Sequence, residues 1–142
     1  MRYLFILLFL SPFVSSAQKP CSKMPVETYI VKAKPGEKTI EPDKQYVHVK
    51  LIGDFDDSCL VYINGRLILG RFVSTDPLLG ESRSSVSLNK KTNKKGSILK
   101  LMMWNKKICF EEKVSFKYPV LEIRYFENKF ILTYTNRVAQ LE

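Results

Sequence analysis

Short stretches of alternating apolar and polar residues run through most of the chain, separated by Gly, Pro, Asn and Asp at intervals of about eight to twelve positions. Alternation with a period of two gives a β-strand one apolar face and one polar face, because successive side chains point to opposite sides of a sheet. Strands are predicted at residues 26–34, 46–52 and 84–88, and three further pairs of segments are predicted to form hairpins. No segment has sustained helical periodicity.

The first predicted hairpin spans residues 59–69 and turns at Asn64-Gly65. This dipeptide is typical of a tight type I′ turn, because both positions tolerate positive φ. The register that follows from the turn pairs Val61 with Ile68. Both faces of this hairpin are rather apolar, which predicts a central place in its sheet.

The second predicted hairpin turns at residues 105–106 and places Leu101 opposite Phe110 on an apolar face. The reverse face then carries the oppositely charged pair Lys100 and Glu111. One apolar face backed by a charged pair is what a sheet with a single buried side requires.

The third predicted hairpin turns at residues 128–129. One face collects six apolar or aromatic residues: Leu121, Ile123, Tyr125, Phe130, Leu132 and Tyr134. A slip of one residue would bury the charged residues of the other face, so the pattern specifies the register strongly.

About eight or nine strands in this order predict an all-β fold, namely an antiparallel two-sheet β-sandwich. Their number and spacing are similar to those of the immunoglobulin-like superfold. The antibody spacing of Cys, Trp and Cys is missing, because Trp104 follows Cys59 by 45 positions and precedes Cys109 by only five.

The first 17 residues have the features of a secretory signal: Arg2, then the apolar residues 4–10, then small residues at 15–17. Cleavage near Ala17 predicts a secreted or periplasmic protein, with one domain at residues 18–142. No second long apolar stretch follows, so no transmembrane segment is predicted in the mature chain.

Three cysteines remain after cleavage: Cys21, Cys59 and Cys109. An odd number in an exported protein indicates one bridge and one spare thiol, or one intermolecular bond. The hairpin register directs Cys109 outward, within reach of the segment that carries Cys21, whereas Cys59 shares a face with apolar residues. A Cys21–Cys109 bridge is therefore favoured over Cys59–Cys109.

Local signatures of catalysis or metal binding are missing from the sequence. The only histidine, His48, lies on the predicted polar face of its strand, and no G-x-S-x-G segment supplies a nucleophile. The acidic residues at 54–57 lack the glycine and glutamate of a calcium loop, and Glu111 and Glu112 point to opposite faces. We therefore expect a non-enzymatic protein without cofactor or metal, and a hydrolase with a dispersed site is the least favoured alternative.

Charge supplies a further indication, since the chain carries a net charge of +9 and keeps +8 after loss of Arg2. Lys90, Lys91, Lys94 and Lys95 lie in one predicted loop that could bind a polyanion. Excess charge of this sign attracts acidic polysaccharide or an acidic protein, although such lysines often serve only solubility. Nucleic acid is not an expected partner for an exported protein.

A second candidate surface is aromatic. Trp104 lies with Met102 and Ile98 on the outward face of the second hairpin, where an exposed ring could stack on a sugar or contact a protein. Coverage of this face by another segment is the simpler alternative. The sequence thus predicts a binding module for an unknown protein or an anionic envelope polymer, with a carbohydrate-binding or adhesion module as the alternative.

Overall fold

The computed structural model describes residues 21–78, 82, 84–93 and 96–138, and within them the chain forms ten strands in two five-stranded sheets. The first sheet contains, in spatial order, β1 (Ser22–Lys23), β8 (Ile108–Lys113), β7 (Ile98–Met103), β4 (Asp57–Ile63) and β5 (Arg66–Val73). The second contains β2 (Val26–Val31), β10 (Lys129–Thr135), β9 (Val120–Phe126), β3 (Tyr46–Leu51) and β6 (Ser84–Asn89).

The all-β class is confirmed, because the described residues form strands and turns and contain no helix. No described helix is long and apolar enough to cross a membrane. Nine of the ten strands coincide with predicted segments, and the additional one is the two-residue β1. The predicted signal at residues 1–17 lies outside the described residues.

The two sheets share one core, in agreement with the predicted sandwich. Alternate residues of β3, namely Val47, Val49 and Leu51, are fully buried. The ring centroids of Phe110 in the first sheet and Phe130 in the second lie 4.8 Å apart. Strand alternation therefore fills the space between two stacked sheets, as in other sandwiches.

The expectation of purely antiparallel sheets is wrong, because both sheets are mixed. β1 runs parallel to β8, β2 runs parallel to β10, and β3 runs parallel to β9. Each parallel pair joins strands that are distant along the chain. A short hairpin turn forces two strands to be antiparallel, whereas a long connection allows either direction. The hairpins that the sequence predicts account only for antiparallel neighbours.

The hairpin of β7 and β8 has the predicted register. Leu101 pairs with Phe110 and Lys100 pairs with Glu111, whose carboxylate lies 3.6 Å from the lysine ammonium group. The buried side chain of Phe110 faces the core, as expected from the apolar face of the pattern.

The hairpin of β4 and β5 turns at Asn64 and Gly65, both at positive φ, as predicted. The predicted pair of Val61 and Ile68 is wrong, because Val61 pairs with Leu69 across a β-bulge. The apolar run around Ile68 does not alternate with polar residues, so polarity could not fix its register.

The hairpin of β9 and β10 has the predicted faces but a different turn. Glu127 and Asn128 adopt positive φ of 46° and 60°, and Lys129 already pairs with Phe126. The turn thus precedes the predicted one by one residue, which shifts the pairing by two positions and preserves the faces. The side-chain oxygen of Asn128 accepts a hydrogen bond from the hydroxyl of Tyr125 at 3.1 Å, which supports this turn.

Candidate functional site

The cysteines follow the favoured prediction. Cys21 is joined to Cys109, and Cys59 is a buried thiol outside the bridge. The bridge fastens the short β1 to β8, where Lys23 pairs with Cys109. Burial raises the pKa of the Cys59 thiol to about 12, and the neighbouring charge of Asp57 acts in the same direction.

A groove of about 850 Å³ opens at the end of the molecule where β6 leads into β7 and β8 leads into β9. Its walls come from these two connections and contain Lys90, Asn93, Gly96, Lys113, Val114, Ser115, Phe116 and Lys117. We call this feature the basic groove. Its volume is within the range of about 300–1,000 Å³ that is typical of small-ligand sites.

The first wall is fixed by backbone hydrogen bonds after β6. The N–H of Lys90 donates to the carbonyl oxygen of Gln45 at 2.7 Å, and the N–H of Asn93 donates to that of Asn89 at 3.0 Å. The ammonium group of Lys90 donates to the carbonyl oxygen of Asp43 at 2.6 Å. These contacts hold Lys90 at the groove, although its loop is exposed in part.

The second wall is held from below by Tyr134. Its hydroxyl accepts a hydrogen bond from the N–H of Ser115 at 3.1 Å and lies 3.5 Å from the carbonyl oxygen of Lys113. Burial raises the pKa of Tyr134, so this hydroxyl stays protonated in neutral solution. The N–H of Val114 donates to the carbonyl oxygen of Ser97 at 2.9 Å and ties the two walls together.

The described lining of the groove is basic, with three lysines and no carboxylate. Among the described residues, neither Lys113 nor Lys117 has its ammonium group in an ion pair. Two acidic side chains have resolved effects near the groove. The pKa of Asp43 is lowered mainly by a hydrogen bond from the N–H of Gln45, with a smaller contribution from Lys90, and the charge of Glu112 adds to the effect of burial in raising the pKa of Tyr134. An anion entering the groove would therefore meet positive charge that acidic side chains of the lining do not neutralise.

The predicted lysine cluster is only partly assembled by the structure. Lys90 lines the groove, whereas Lys91 is exposed and is not among its lining residues. Lys94 and Lys95 lie outside the described residues. The sequence analysis did not single out Lys113 and Lys117. These lysines lie on either side of Val114-Ser115-Phe116, and that pattern of two cations around two apolar residues could have indicated a basic site.

Trp104 directly follows β7, in the turn that leads to β8, and the residue is 40% exposed. The backbone N–H of Trp104 donates to the backbone carbonyl oxygen of Ser58 at 2.9 Å, and Ser58 pairs with Phe72 on the edge strand β5. Phe72 is 59% exposed and was not singled out from the sequence. Two aromatic side chains thus flank Ser58, separated by two strand spacings or about 10 Å.

Met102, predicted on the same outer face as Trp104, is only 4% exposed, in agreement with the simpler alternative that another segment covers this face. It pairs with Cys109, so it stands beside the disulfide to Cys21 at the β1 side of the sheet. Ile98, the first residue of β7, is 36% exposed. The outer face of the sheet is therefore more exposed at the end of this strand than at Met102.

The residues considered for catalysis and metal binding are dispersed. The Nδ1 atom of His48 lies 3.0 Å from the hydroxyl of Ser87. Asp57 is fully buried, whereas Asp54 and Asp56 are exposed. Across residues 21–78, 82, 84–93 and 96–138, no group of three or more His, Cys, Asp or Glu side chains could hold a metal ion.

The chain matches no known protein-family model, no curated protein and no solved structure. Within the part of the chain that the structure describes, the basic groove and the aromatic pair at Trp104 and Phe72 are the surface features that we consider as ligand sites.

Proposed function

We propose that this protein is an exported, non-enzymatic binding module of immunoglobulin-like sandwich type, and that its basic groove binds an anionic polymer of the cell envelope. The observation that carries the proposal is the convergence of Lys90, Lys113 and Lys117 on one groove whose described lining lacks a carboxylate. An acidic protein surface is the other partner that the same charge would suit.

The groove favours an anion more than scattered surface lysines would. Its walls are fixed by hydrogen bonds that the N–H groups of Ser115 and Val114 donate to the Tyr134 hydroxyl and the Ser97 carbonyl oxygen, so little ordering is needed before a ligand binds. Concave surfaces with one sign of charge also focus the electrostatic potential and raise the local concentration of counter-ions. A polymer bearing sulfate, phosphate or carboxylate groups can bridge such lysines.

Binding of heparin and of lipopolysaccharide, measured by calorimetry at several salt concentrations, tests this function. Affinity should fall steeply as salt rises, because exposed charge pairs are screened. The double variant Lys113→Gln/Lys117→Gln should bind about five- to thirtyfold more weakly, if each exposed ion pair contributes about 0.5–1 kcal/mol.

A matched control removes the same amount of charge at the opposite end of β8. Arg71→Gln/Lys107→Gln is suitable, because both cations are exposed and lie at the level where β8 begins, about 20 Å from Lys113 at the end of the strand. This control should reduce affinity only slightly. Equal losses in the two double variants would show that net charge attracts the polymer without a defined site, and absence of salt-sensitive binding would overturn the proposed function.

A carbohydrate-binding or adhesion module is the second candidate, and the pair of exposed rings at Trp104 and Phe72 favours it. Rings about 10 Å apart on one sheet face could stack on alternate sugars of an extended chain. Titration with neutral oligosaccharides should then shift the fluorescence of Trp104 with little dependence on salt. Phe72→Ala should weaken this binding, whereas Tyr29→Ala, at an exposed ring on the second sheet, should not.

A further inference from the structure

The floor of the basic groove is apolar, although its rim carries lysines. Val114 is 6% exposed and belongs to the hydrophobic core, and the half-buried Phe116 packs against that core. A site made only for a highly charged polymer has no use for such a floor, because the polymer keeps its charged groups in water. The ligand that matches both parts has an anionic head and an apolar body.

We propose that the basic groove binds a single molecule of an anionic amphiphile, with the head group at the lysines and an alkyl chain against Phe116 and Val114. This inference rests on the proposed function, because it keeps the anion site of the groove and assigns to it, beside the polymer, a second class of ligand. It commits to the monomeric amphiphile and not to the surface of a membrane.

Charge complementarity argues for this occupant. Lys113 and Lys117 lie on either side of the segment that supplies Val114 and Phe116, so each ammonium group is close along the chain to the apolar floor. Lysine side chains can lay their methylene groups along apolar surface while the charge stays in water. The methylene groups of the two lysines can thereby add to the apolar surface of the floor, while their ammonium groups place positive charge at the rim.

The volume of the groove also suits one short chain. A volume of about 850 Å³ holds a small ligand, and the wall is fixed in place by the hydroxyl of Tyr134. The groove is partly open to solvent, so an alkyl chain would be partly covered and its head group would remain accessible.

A homologous series of alkyl phosphates tests the inference on the unmodified protein. Inorganic phosphate and butyl, hexyl and octyl phosphate are titrated calorimetrically below their micelle concentrations. Each added methylene group should increase affinity about two- to fourfold, up to the fourfold that complete burial of a methylene group provides. Alkyl trimethylammonium ions of the same lengths should not bind, since the rim repels cations.

Two variants separate the head-group site from the apolar floor. Lys113→Gln/Lys117→Gln should weaken every alkyl phosphate by the same factor and leave the dependence on chain length unchanged. Phe116→Ser should flatten that dependence and leave the affinity for inorganic phosphate unchanged. The matched control Phe126→Ser, at an exposed ring on the β9–β10 hairpin, should change neither quantity.

The possible outcomes distinguish this inference from the proposed function. Binding of heparin and phosphate without dependence on alkyl length would overturn the amphiphile and leave the anion site intact. Binding to anionic phospholipid vesicles but not to monomeric alkyl phosphates would also overturn it, in favour of a membrane surface. Absence of binding to every anion, heparin included, would overturn the proposed function itself.

Discussion

The buried Oδ2 atom of Asp57 accepts a hydrogen bond from the backbone N–H of Lys106 at 3.0 Å. Its Oδ1 atom accepts the N–H of Asn105 at 2.8 Å, so one carboxylate fixes the turn between β7 and β8. The ammonium group of Lys106 lies 3.9 Å from Oδ2 and donates to the carbonyl oxygen of Phe55 at 2.8 Å. The acidic residue that looks like a metal ligand in the sequence is therefore an organiser of a neighbouring turn.

Replacement of Asp57 should destabilise the fold strongly. In Asp57→Ala, two N–H donors lose their acceptor and Lys106 loses its partner, which should lower the free energy of unfolding by about 2–4 kcal/mol. Asp54→Ala, a change of the same charge at an exposed position, should stay within about 0.5 kcal/mol of the unmodified protein. Urea denaturation measures both. Similar stabilities for the two variants would contradict the role of Asp57 in the turn.

Much of the fold follows from local patterns in the sequence. The register of β7 and β8 was predictable because Leu101 and Phe110 share an apolar face while Lys100 and Glu111 share a charged one. The bulge between β4 and β5 could not be predicted. The apolar residues of β5 do not alternate with polar ones, so polarity does not favour one register over another. Parallel neighbours such as β2 and β10 depend on long-range packing, which no local pattern records.

The candidate site was less predictable than the fold. The loop lysines are conspicuous because they are adjacent in sequence, yet of the two that the structure describes, Lys90 and Lys91, only Lys90 lines the basic groove. Lys113 and Lys117 join it from a connection more than 20 residues further along. Convergence of this kind depends on how two loops meet at one end of the sandwich, and spacing along the chain does not show it.

The disulfide should provide a large share of the stability. It joins residues 88 positions apart, and closure of a loop of that length restricts the unfolded chain by an amount worth about 4–5 kcal/mol in the chain-entropy model. Cys21→Ser/Cys109→Ala should therefore unfold at much lower urea concentration. The unmodified protein in reductant should match this variant, and an unchanged urea midpoint in both would contradict the prediction.

A substitution in the turn of the β9–β10 hairpin should stabilise the protein. Glu127 adopts a φ of 46°, a left-handed conformation that costs a glutamate more than an asparagine. Glu127→Asn should raise the free energy of unfolding by about 0.5–1 kcal/mol. Glu127→Ala removes the same charge without easing the left-handed conformation, so it serves as the control. If thermal denaturation showed equal gains for both variants, charge and not backbone conformation would be responsible.

The raised pKa of Cys59 makes a specific prediction for alkaline solution. Burial favours the neutral thiol, so its pKa rises from about 9 when unfolded to about 12 when folded. Between these values the folded state binds the proton that the unfolded state has lost. Cys59 should thus lower the free energy of unfolding by about 1.4 kcal/mol per pH unit as the pH rises from 9 towards 12.

Comparison with Cys59→Ala isolates this contribution, since other groups titrate in the same range in both proteins. The variant should be less stable at pH 8 because it leaves a small cavity, and the difference should shrink as the pH rises. Thiol labelling gives an independent readout. At pH 8 a disulfide reagent should modify Cys59 only after denaturant unfolds the chain, and rapid labelling of the native protein would mean that the thiol is neither buried nor held in its neutral form.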